Sequence, residues 1–195
     1  MHIIVGLGNP GEEYEGTRHN AGFLCVVRFA AANDFPEWKE DKKIRALVSE
    51  ASIGKEKTKL VLPQTFMNKS GASVKPLVGS KKAASRLIVV HDDLDLPLGS
   101  FKISFGKSSG GHRGVESVMK GVGTKDFVRV RVGIAPATPG GKLRKPTGEK
   151  KVLDFIIGKL RKPELETLKK LSKKVSEALL LIVSEGREKA MSTFN

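Results

Sequence analysis

The chain has 195 residues and a formal net charge of +14, with 39% hydrophobic and 29% charged residues. This length and balance predict one folded domain over residues 1–195 and exclude a disordered chain, and the longest apolar run, Ala178 to Val183, is too short to cross a membrane. The single cysteine, Cys25, excludes an internal disulfide framework, and the segment after Met1 lacks the pattern of a secretory signal, so we expect a cytoplasmic protein.

The first half of the chain alternates predicted strands with predicted helices. In order, the elements are an apolar strand at 2–7, a helix at 20–33, two hairpin strands at 44–53 and 58–62, and a helix from Thr65 to about Ser80 with a break near Pro76. The residues expected on the buried face of the helix at 20–33 are Phe23, Val26, Val27 and Ala30.

The second half continues the alternation. It is predicted to contain strands at 86–91, 99–105 and 127–134, short helices at 113–121 and 152–158, a mobile loop rich in Pro, Gly and Lys at 136–150, and a C-terminal helix at 163–187. The buried stripe of that last helix is expected to comprise Leu165, Leu168, Leu171, Val175, Leu179 and Ile182. Strands that alternate with helices predict an α/β domain built on a central sheet.

The positive charge is concentrated in the second half of the chain. Residues 1–97 hold 14 basic and 12 acidic residues, whereas residues 98–195 hold 21 basic and 9 acidic residues. Clustered cations favour a polyanionic partner, which suggests a nucleic acid; a solubilising surface is the alternative. Residues 142–174 alone carry 12 basic against 4 acidic residues, so this region is expected either to touch RNA or to form a solvated helix face.

Two polar segments near the first strand are candidates for chemistry. The turn Gly6-Leu7-Gly8-Asn9-Pro10-Gly11 has the glycine spacing of a dinucleotide-binding loop, but acidic residues follow it where a phosphate-binding helix would have to begin. We therefore interpret it as a tight turn that presents the Asn9 amide, or as a purely structural turn. The segment Thr17-Arg18-His19-Asn20 precedes the first helix, and either Asn20 is its N-cap or Thr17 begins the turn. His19 suits proton transfer near neutral pH.

A third polar segment, His91-Asp92-Asp93-Leu94-Asp95-Leu96-Pro97, follows the apolar strand at 86–91. Its three carboxylates could hold Mg²⁺ or Ca²⁺, but the loop glycine and the distal Glu ligand of such a site are missing. The favoured interpretation is that one carboxylate orients a histidine from elsewhere in the chain. A capped turn with solvated acids is the structural alternative.

Two further segments carry amides and glycines. Thr65-Phe66-Met67-Asn68-Lys69-Ser70-Gly71 places Asn68 near a helix start. The stretch from Gly106 to Gly114 precedes another helix and forms either an anion-binding nest, with Lys102, Lys107 and Arg113 nearby, or a flexible loop.

Taken in order, these segments resemble the bacterial-type peptidyl-tRNA hydrolase family over nearly the whole chain. The matching segments are Ile4–Gly11, Tyr14, Thr17–Gly22, Thr65–Gly71, His91–Pro97, Gly110–His112 and Arg129–Ile134. The resemblance implies a single α/β domain with a mixed twisted sheet surrounded by helices. It also implies hydrolysis of the ester between a nascent peptide and the terminal ribose of tRNA by a monomer, with no metal and no organic cofactor.

The resemblance also implies roles for individual residues. His19 is expected to be the general base and Asp92 to orient it, while Asn9 and Asn68 bind the peptidyl end and position water. Tyr14, Phe66, Met67 and His112 belong to the matching segments and are expected to line the substrate site.

Two positions depart from the family pattern. Arg113 stands where the family usually carries an asparagine that binds substrate and places water, so we expect Arg113 either to bind the terminal phosphates or to lie in solvent. Arg131 matches one half of the basic clamp that holds the 5′-phosphate of tRNA. The other half falls on Ser104, so we expect Lys102 or Lys107 to replace it.

Two other functions compete with an esterase. Relatives that assist RNA splicing make a non-catalytic RNA-binding protein on the same fold the main alternative. A dinucleotide enzyme is the second alternative, because of the glycine spacing at 6–11.

Overall fold

Seven strands form one mixed sheet in the computed structural model, which describes all 195 residues. The strands are β1 (His2–Gly6), β2 (Lys39–Asp41), β3 (Ala46–Ile53), β4 (Glu56–Pro63), β5 (Leu87–Pro97), β6 (Phe101–Phe105) and β7 (Val128–Ala135). Their spatial order is β2-β3-β4-β1-β5-β7-β6. The four central strands β4, β1, β5 and β7 run parallel, and the outer pairings are antiparallel. The predicted mixed α/β sheet is confirmed.

Six helices cover the two faces of this sheet. They are α1 (Ala21–Ala32), α2 (Ser70–Val74), α3 (Arg113–Val122), α4 (Glu149–Ile157), α5 (Lys162–Glu185) and α6 (Arg187–Phe194). Alternate side chains of the central strands enter two different cores, because successive residues of a strand point to opposite faces. Ile4 and Ile88 pack with α1 and α5, whereas Val5 and Val89 pack with α2 and α3.

This topology opens a crevice at the carboxyl end of β1. The chain leaves β1 towards α1 on one face of the sheet, and it leaves β4 towards α2 on the other face. Ligand sites of open α/β sheets lie where the connections from two adjacent strands go to opposite faces of the sheet. The polar segments that follow β1 and β4, and the polar second half of β5, all meet at this edge.

Several predicted elements differ in detail from the observed ones. Helix α1 buries Cys25 and Phe29 beside Val26, whereas Val27 is 42% exposed because it lies one residue, or about 100°, beyond the buried stripe. The helix predicted over 65–80 shrinks to α2, with single 3-10 turns on both sides, because Pro76 cannot continue an α-helix.

Other differences concern ends of elements. Strand β5 runs on through Pro97, since Asp92 and Asp93 still pair with β7. The short strand β2 is polar and was not predicted. Helix α4 begins at Glu149, inside the predicted loop 136–150, and α5 ends before Gly186, whose φ of 91° stops it. The six residues predicted for the stripe of α5 are buried except for Leu165, which is half-buried.

Candidate active site

His19 and Asp92 form a buried pair at the carboxyl ends of β1 and β5. His19 lies in a 3-10 turn (Arg18–Asn20) directly before α1, and its Nδ1 is 3.0 Å from each carboxylate oxygen of Asp92. Helix α1 can approach the sheet this closely because Gly22 has no side chain: a Cβ there would lie 2.3 Å from the carbonyl oxygen of Val90. The Nε2 of His19 has no partner within the protein, and the ring borders a large cavity.

His112 donates a second hydrogen bond to the same carboxylate. It is the N-cap of α3, where its Nδ1 accepts hydrogen bonds from the backbone N–H groups of Gly114 and Val115 at 3.1 and 3.3 Å. Because Nδ1 is an acceptor, the ring proton of His112 must lie on Nε2, which donates to Asp92 Oδ1 at 2.9 Å. The fold therefore fixes one tautomer of His112.

The two imidazoles determine the charge state of Asp92. Burial alone would raise the pKa of this carboxyl, but attraction to His19 and His112 and the hydrogen bonds from both rings hold the pKa far below its usual range. Burial would lower the pKa of His19, yet the negative charge and hydrogen bond of Asp92 raise it above its ordinary value. The result is a permanently ionised carboxylate that holds the His19 proton on Nδ1 and leaves the Nε2 lone pair available.

His91 contacts both Asp92 and His112 and does not line the cavity. It is fully buried, and its Nδ1 donates to the carbonyl oxygen of Asp92 at 2.7 Å. Its ring meets that of His112 edge-on at 4.7 Å. Burial, followed by the proximity of His112 and the charge of Arg129, lowers the pKa of His91 well below the ordinary value, so this ring is neutral. Sequence reasoning missed its packing role, because the contact with His112 depends on tertiary structure.

Asn9 presents a free amide N–H₂ group to the cavity. Its Oδ1 accepts a hydrogen bond from the backbone N–H of Met67 at 2.7 Å, so Nδ2 faces the cavity as a donor without a partner in the protein. The Asn20 side chain bonds both the backbone N–H and the carbonyl of Asn9, each at 2.9 Å. Asn20 thus occupies the N-cap position of α1, but its side chain fastens the Asn9 turn instead of capping the helix.

Asn68 reaches the same cavity through close packing of α2 on α3. A Cβ on Gly71 would lie 1.9 Å from the backbone oxygen of Ser117, and the Gly71 N–H donates to Ser117 Oγ at 2.9 Å. The Asn68 side chain is exposed and makes no hydrogen bond within the protein, whereas Met67 is buried in the core beneath it.

The cavity has a volume of about 820 Å³ and an apolar side. Phe66, which is 55% exposed, meets Tyr14 edge-on with ring centroids 6.2 Å apart. Helix α4 adds Leu153 and Ile157, two further exposed apolar side chains. An exposed apolar wall beside a polar centre is suited to a ligand with both characters.

Two ion pairs join the rim of the cavity to the segment before α4 and to α4 itself. Arg113 Nη2 pairs with Glu149, the first residue of α4, and Lys145 Nζ pairs with Asp95 at the end of β5. Arg113 therefore lines the cavity and is solvent-exposed at the same time. From the sequence alone, a role in the substrate site and a position in solvent are alternatives.

The predicted basic residues Lys102, Lys107 and Arg131 do not line this cavity. Lys102 stands opposite Arg131 on the β6–β7 ladder, and Arg131 Nε donates to Asp93 at 2.7 Å. Lys107 is exposed in the glycine-rich loop. Next to them, Arg129 is almost fully buried with no acidic partner, opposite Ser104. Sequence reasoning missed Arg129, because nothing local distinguishes it from Arg131.

The metal site considered for the segment after β5 does not form. Asp92 binds His19 and His112, Asp93 binds Arg131, and Asp95 binds Lys145, so the three carboxylates diverge. The three residues whose ligand atoms lie close together, within 4.8 Å of one another, are His19, Asp92 and His112, and Asp92 is hydrogen-bonded to both histidines. The dinucleotide interpretation also fails, because a single 3-10 turn, Glu12–Tyr14, follows the glycine loop where a helix is required.

Arg18, beside the catalytic candidate, is a structural residue. Its Nη2 donates to both oxygens of Glu164 at 2.9 Å, its Nη1 donates to the carbonyls of Gly158 and Lys159, and its guanidinium covers the Phe155 ring at 4.4 Å. It thereby fastens the α4–α5 connection to the turn that carries His19.

We expect Arg18→Ala to lower the free energy of unfolding by about 2–3 kcal/mol, because it removes a buried guanidinium from several acceptors. Arg161→Ala is the matched control. Arg161 pairs with the same Glu164 but is 80% exposed, so its loss should cost no more than about 1 kcal/mol. Urea denaturation measures both values, and equal losses would contradict the structural role of Arg18.

No helix of the structure combines the length and the apolar character needed to span a membrane.

Comparisons with known proteins agree on one family. The family model described as peptidyl-tRNA hydrolase matches residues 3–195. A peptidyl-tRNA hydrolase of Herpetosiphon aurantiacus is 43% identical over 197 residues, covering 100% of this chain and 90% of the relative, and one of Carboxydothermus hydrogenoformans is 41% identical, covering 100% and 98%. The crystal structure of peptidyl-tRNA hydrolase from Acinetobacter baumannii superposes with a TM-score of 0.87 at 31% identity, covering 100% of this chain and 94% of that one.

Proposed function

The chain belongs to the peptidyl-tRNA hydrolase family, and we propose how its own residues hydrolyse peptidyl-tRNA. It is a carboxylic ester hydrolase that cleaves peptidyl-tRNA, which frees the tRNA for further rounds of translation. The observation that carries the proposed mechanism is the buried Asp92–His19 pair, whose free Nε2 borders the cavity.

His19 acts as the general base. Its Nε2 removes a proton from water while the water oxygen attacks the ester carbonyl carbon. When the tetrahedral intermediate collapses, the carbon–oxygen bond to the ribose breaks and the same proton passes from Nε2 to the ribose oxygen. The ester is already activated, so general-base help of about 10²–10⁴-fold, together with correct positioning, is the main requirement.

Asn9 and Asn68 stabilise the reacting ester. The Asn9 Nδ2 group is free and held in place by Met67 and Asn20, so it is a preorganised donor for the oxyanion that forms at the carbonyl. The Asn68 amide, which is also free of protein partners, positions the attacking water or the peptide backbone. Asp92 remains ionised throughout and stabilises the imidazolium of His19.

The remaining contacts divide between peptide and RNA. The apolar wall formed by Tyr14, Phe66, Leu153 and Ile157 accepts peptide side chains, and the segment at 136–148, before α4, is a mobile lid that opens this channel. Lys102, Arg131 and Lys107 contact tRNA phosphates outside the cavity.

The direct test is release of peptide from N-acetylaminoacyl-tRNA by the purified protein in a buffer containing EDTA. We expect turnover, because no proposed step uses a metal. Binding of the tRNA without release, by protein shown to be folded, would favour a non-catalytic RNA-binding protein.

We also propose that the protein acts as a monomer in the cytoplasm; light scattering tests the oligomeric state.

Activity should rise with pH through the pKa of His19. Only the neutral imidazole can accept a proton, and Asp92 raises this pKa above the ordinary 6.5, so kcat/KM is expected to fall with decreasing pH from a midpoint above that value. A pH–rate profile measures the midpoint. A profile that stays flat down to pH 5.5 would contradict His19 as the base.

A further inference from the structure

A second, smaller depression lies beside the active-site cavity and is entirely polar. It has a volume of about 370 Å³ and is lined by Asn68, Arg113, Glu116, Ser117 and Lys120, which we call the polar notch. The four residues contributed by α3 recur at intervals of three and four, so they share one face of that helix. Asn68 faces them from the turn before α2, brought close by the contact between Gly71 and Ser117.

The charges of the notch suit a phosphodiester. Arg113 and Lys120 supply two positive charges, and Glu116 supplies one negative charge. Arg113 is already paired with Glu149 outside the notch, so Lys120 is the cation of the notch that remains to meet the single negative charge of a phosphate joining two nucleotides. The Oε1 atom of Glu116 accepts a hydrogen bond from Ser109 on the glycine-rich loop at 3.1 Å. Lys120 is exposed and makes no salt bridge, so its ammonium group is available to an anion.

The position of the notch relates it to the substrate. Asn68 and Arg113 line both the notch and the active-site cavity, so the two compartments are adjacent. The cavity carries the apolar wall that suits the peptide, whereas the notch contains no hydrophobic residue. The scissile ester joins a peptide to an RNA end, and these two parts of the substrate must leave His19 in different directions.

We infer that the polar notch binds the phosphodiester that joins the last two nucleotides of the tRNA 3′ strand, with Lys120 as a specificity-determining residue. This inference rests on the proposed function, because it assumes that the ribose ester lies at His19. Lys120 and Arg113 contact the phosphate oxygens, while the Ser117 hydroxyl offers a neutral hydrogen bond and Asn68 separates the notch from the active-site cavity. The notch thereby favours an ester attached to RNA over an ester that lacks phosphate.

Lys120→Gln tests the inference, since Lys120 is exposed and, unlike Arg113, has no ion pair whose loss would complicate the result. For peptidyl-tRNA we expect KM to rise about fivefold with kcat unchanged, as for the loss of one phosphate contact. Binding of the CCA trinucleotide should weaken by the same factor. The slope of log affinity against log salt should become shallower by about 0.7, the value for one contact with single-stranded RNA. Affinity for adenosine, which carries no phosphate, should not change.

Lys125→Gln is the matched control, because Lys125 is an exposed lysine just beyond α3 and outside the notch. An equal effect in this control, or an equal loss of affinity for adenosine, would overturn the inference, as would unchanged binding in Lys120→Gln. Trinucleotide binding is measured without turnover. A wild-type protein that fails to release peptide but shows the Lys120 effect would therefore refute the proposed mechanism and leave the notch assignment in place.

Discussion

His19→Ala should reduce kcat for peptidyl-tRNA by about 10²–10⁴-fold, which is the usual contribution of a positioned general base. The variant keeps Asn9, Asn68 and the basic residues of the surface, so affinity for tRNA should remain close to that of the wild-type protein. Asp92 also keeps its hydrogen bond from His112, so the fold of the site is retained. Single-turnover release of peptide, together with a binding titration of uncharged tRNA, separates the two quantities.

Two controls make the His19 result specific. His2→Ala removes a histidine at the opposite end of β1, away from the site, and should leave the rate unchanged. Added imidazole should restore part of the rate of His19→Ala, because the truncated side chain leaves space beside Asp92 for a replacement base. If His19→Ala kept a near-normal rate, another group would have to be the base.

Much of the fold was accessible from local sequence patterns. The apolar runs of β1, β5 and β7 predict buried strands, and parallel strands bring their carboxyl ends to one edge of a sheet. The close approach of His19 and Asp92 is therefore consistent with simple topology, although the residues are 73 positions apart.

The details of the site depend on tertiary structure and were not predictable. His112 was expected only as part of a matching segment, but its role as N-cap of α3 determines which ring nitrogen carries the proton. Arg18 and His19 are neighbours in sequence, yet one is structural and the other borders the cavity. The pairing of Arg113 with Glu149 joins the rim to a helix that the sequence placed partly in a loop. The helix cap of His112 is local, but its bond to Asp92, the contacts of Arg18 and the pairing of Arg113 each depend on a partner far away in the chain.

The fixed tautomer of His112 leads to the second large effect, in Asp92→Asn. An amide at position 92 has one oxygen and one N–H₂ group to share between His112 and His19. His112 can only donate, because its Nδ1 is committed to the backbone N–H groups of α3. The amide oxygen must therefore take the Oδ1 position beside His112, which leaves the N–H₂ group at the Oδ2 position, 3.0 Å from His19 Nδ1.

This orientation places the His19 proton on the wrong nitrogen. The amide N–H₂ group at this distance repels a proton on His19 Nδ1 and favours a lone pair there, so we expect the proton to move to Nε2 and the lone pair that activates water to be lost. We expect kcat to fall by as much as about 10⁴-fold, the size of the loss when the same substitution inverts the histidine tautomer in a Ser-His-Asp hydrolase. The ¹⁵N chemical shifts of His19 report the tautomer directly and should show a protonated Nε2.

A double variant distinguishes the tautomer argument from simple loss of charge. Asparagine is a good N-cap, so His112→Asn keeps α3 capped while removing the obligatory donor to position 92. In the double variant Asp92→Asn with His112→Asn, the amide is free to turn its oxygen towards His19 and restore the productive tautomer. The double variant should therefore be several-fold faster than Asp92→Asn alone, although it carries one more substitution in the site. If it is equally slow or slower, the negative charge of Asp92 matters more than the tautomer, because only the charge account predicts that the second substitution brings no gain.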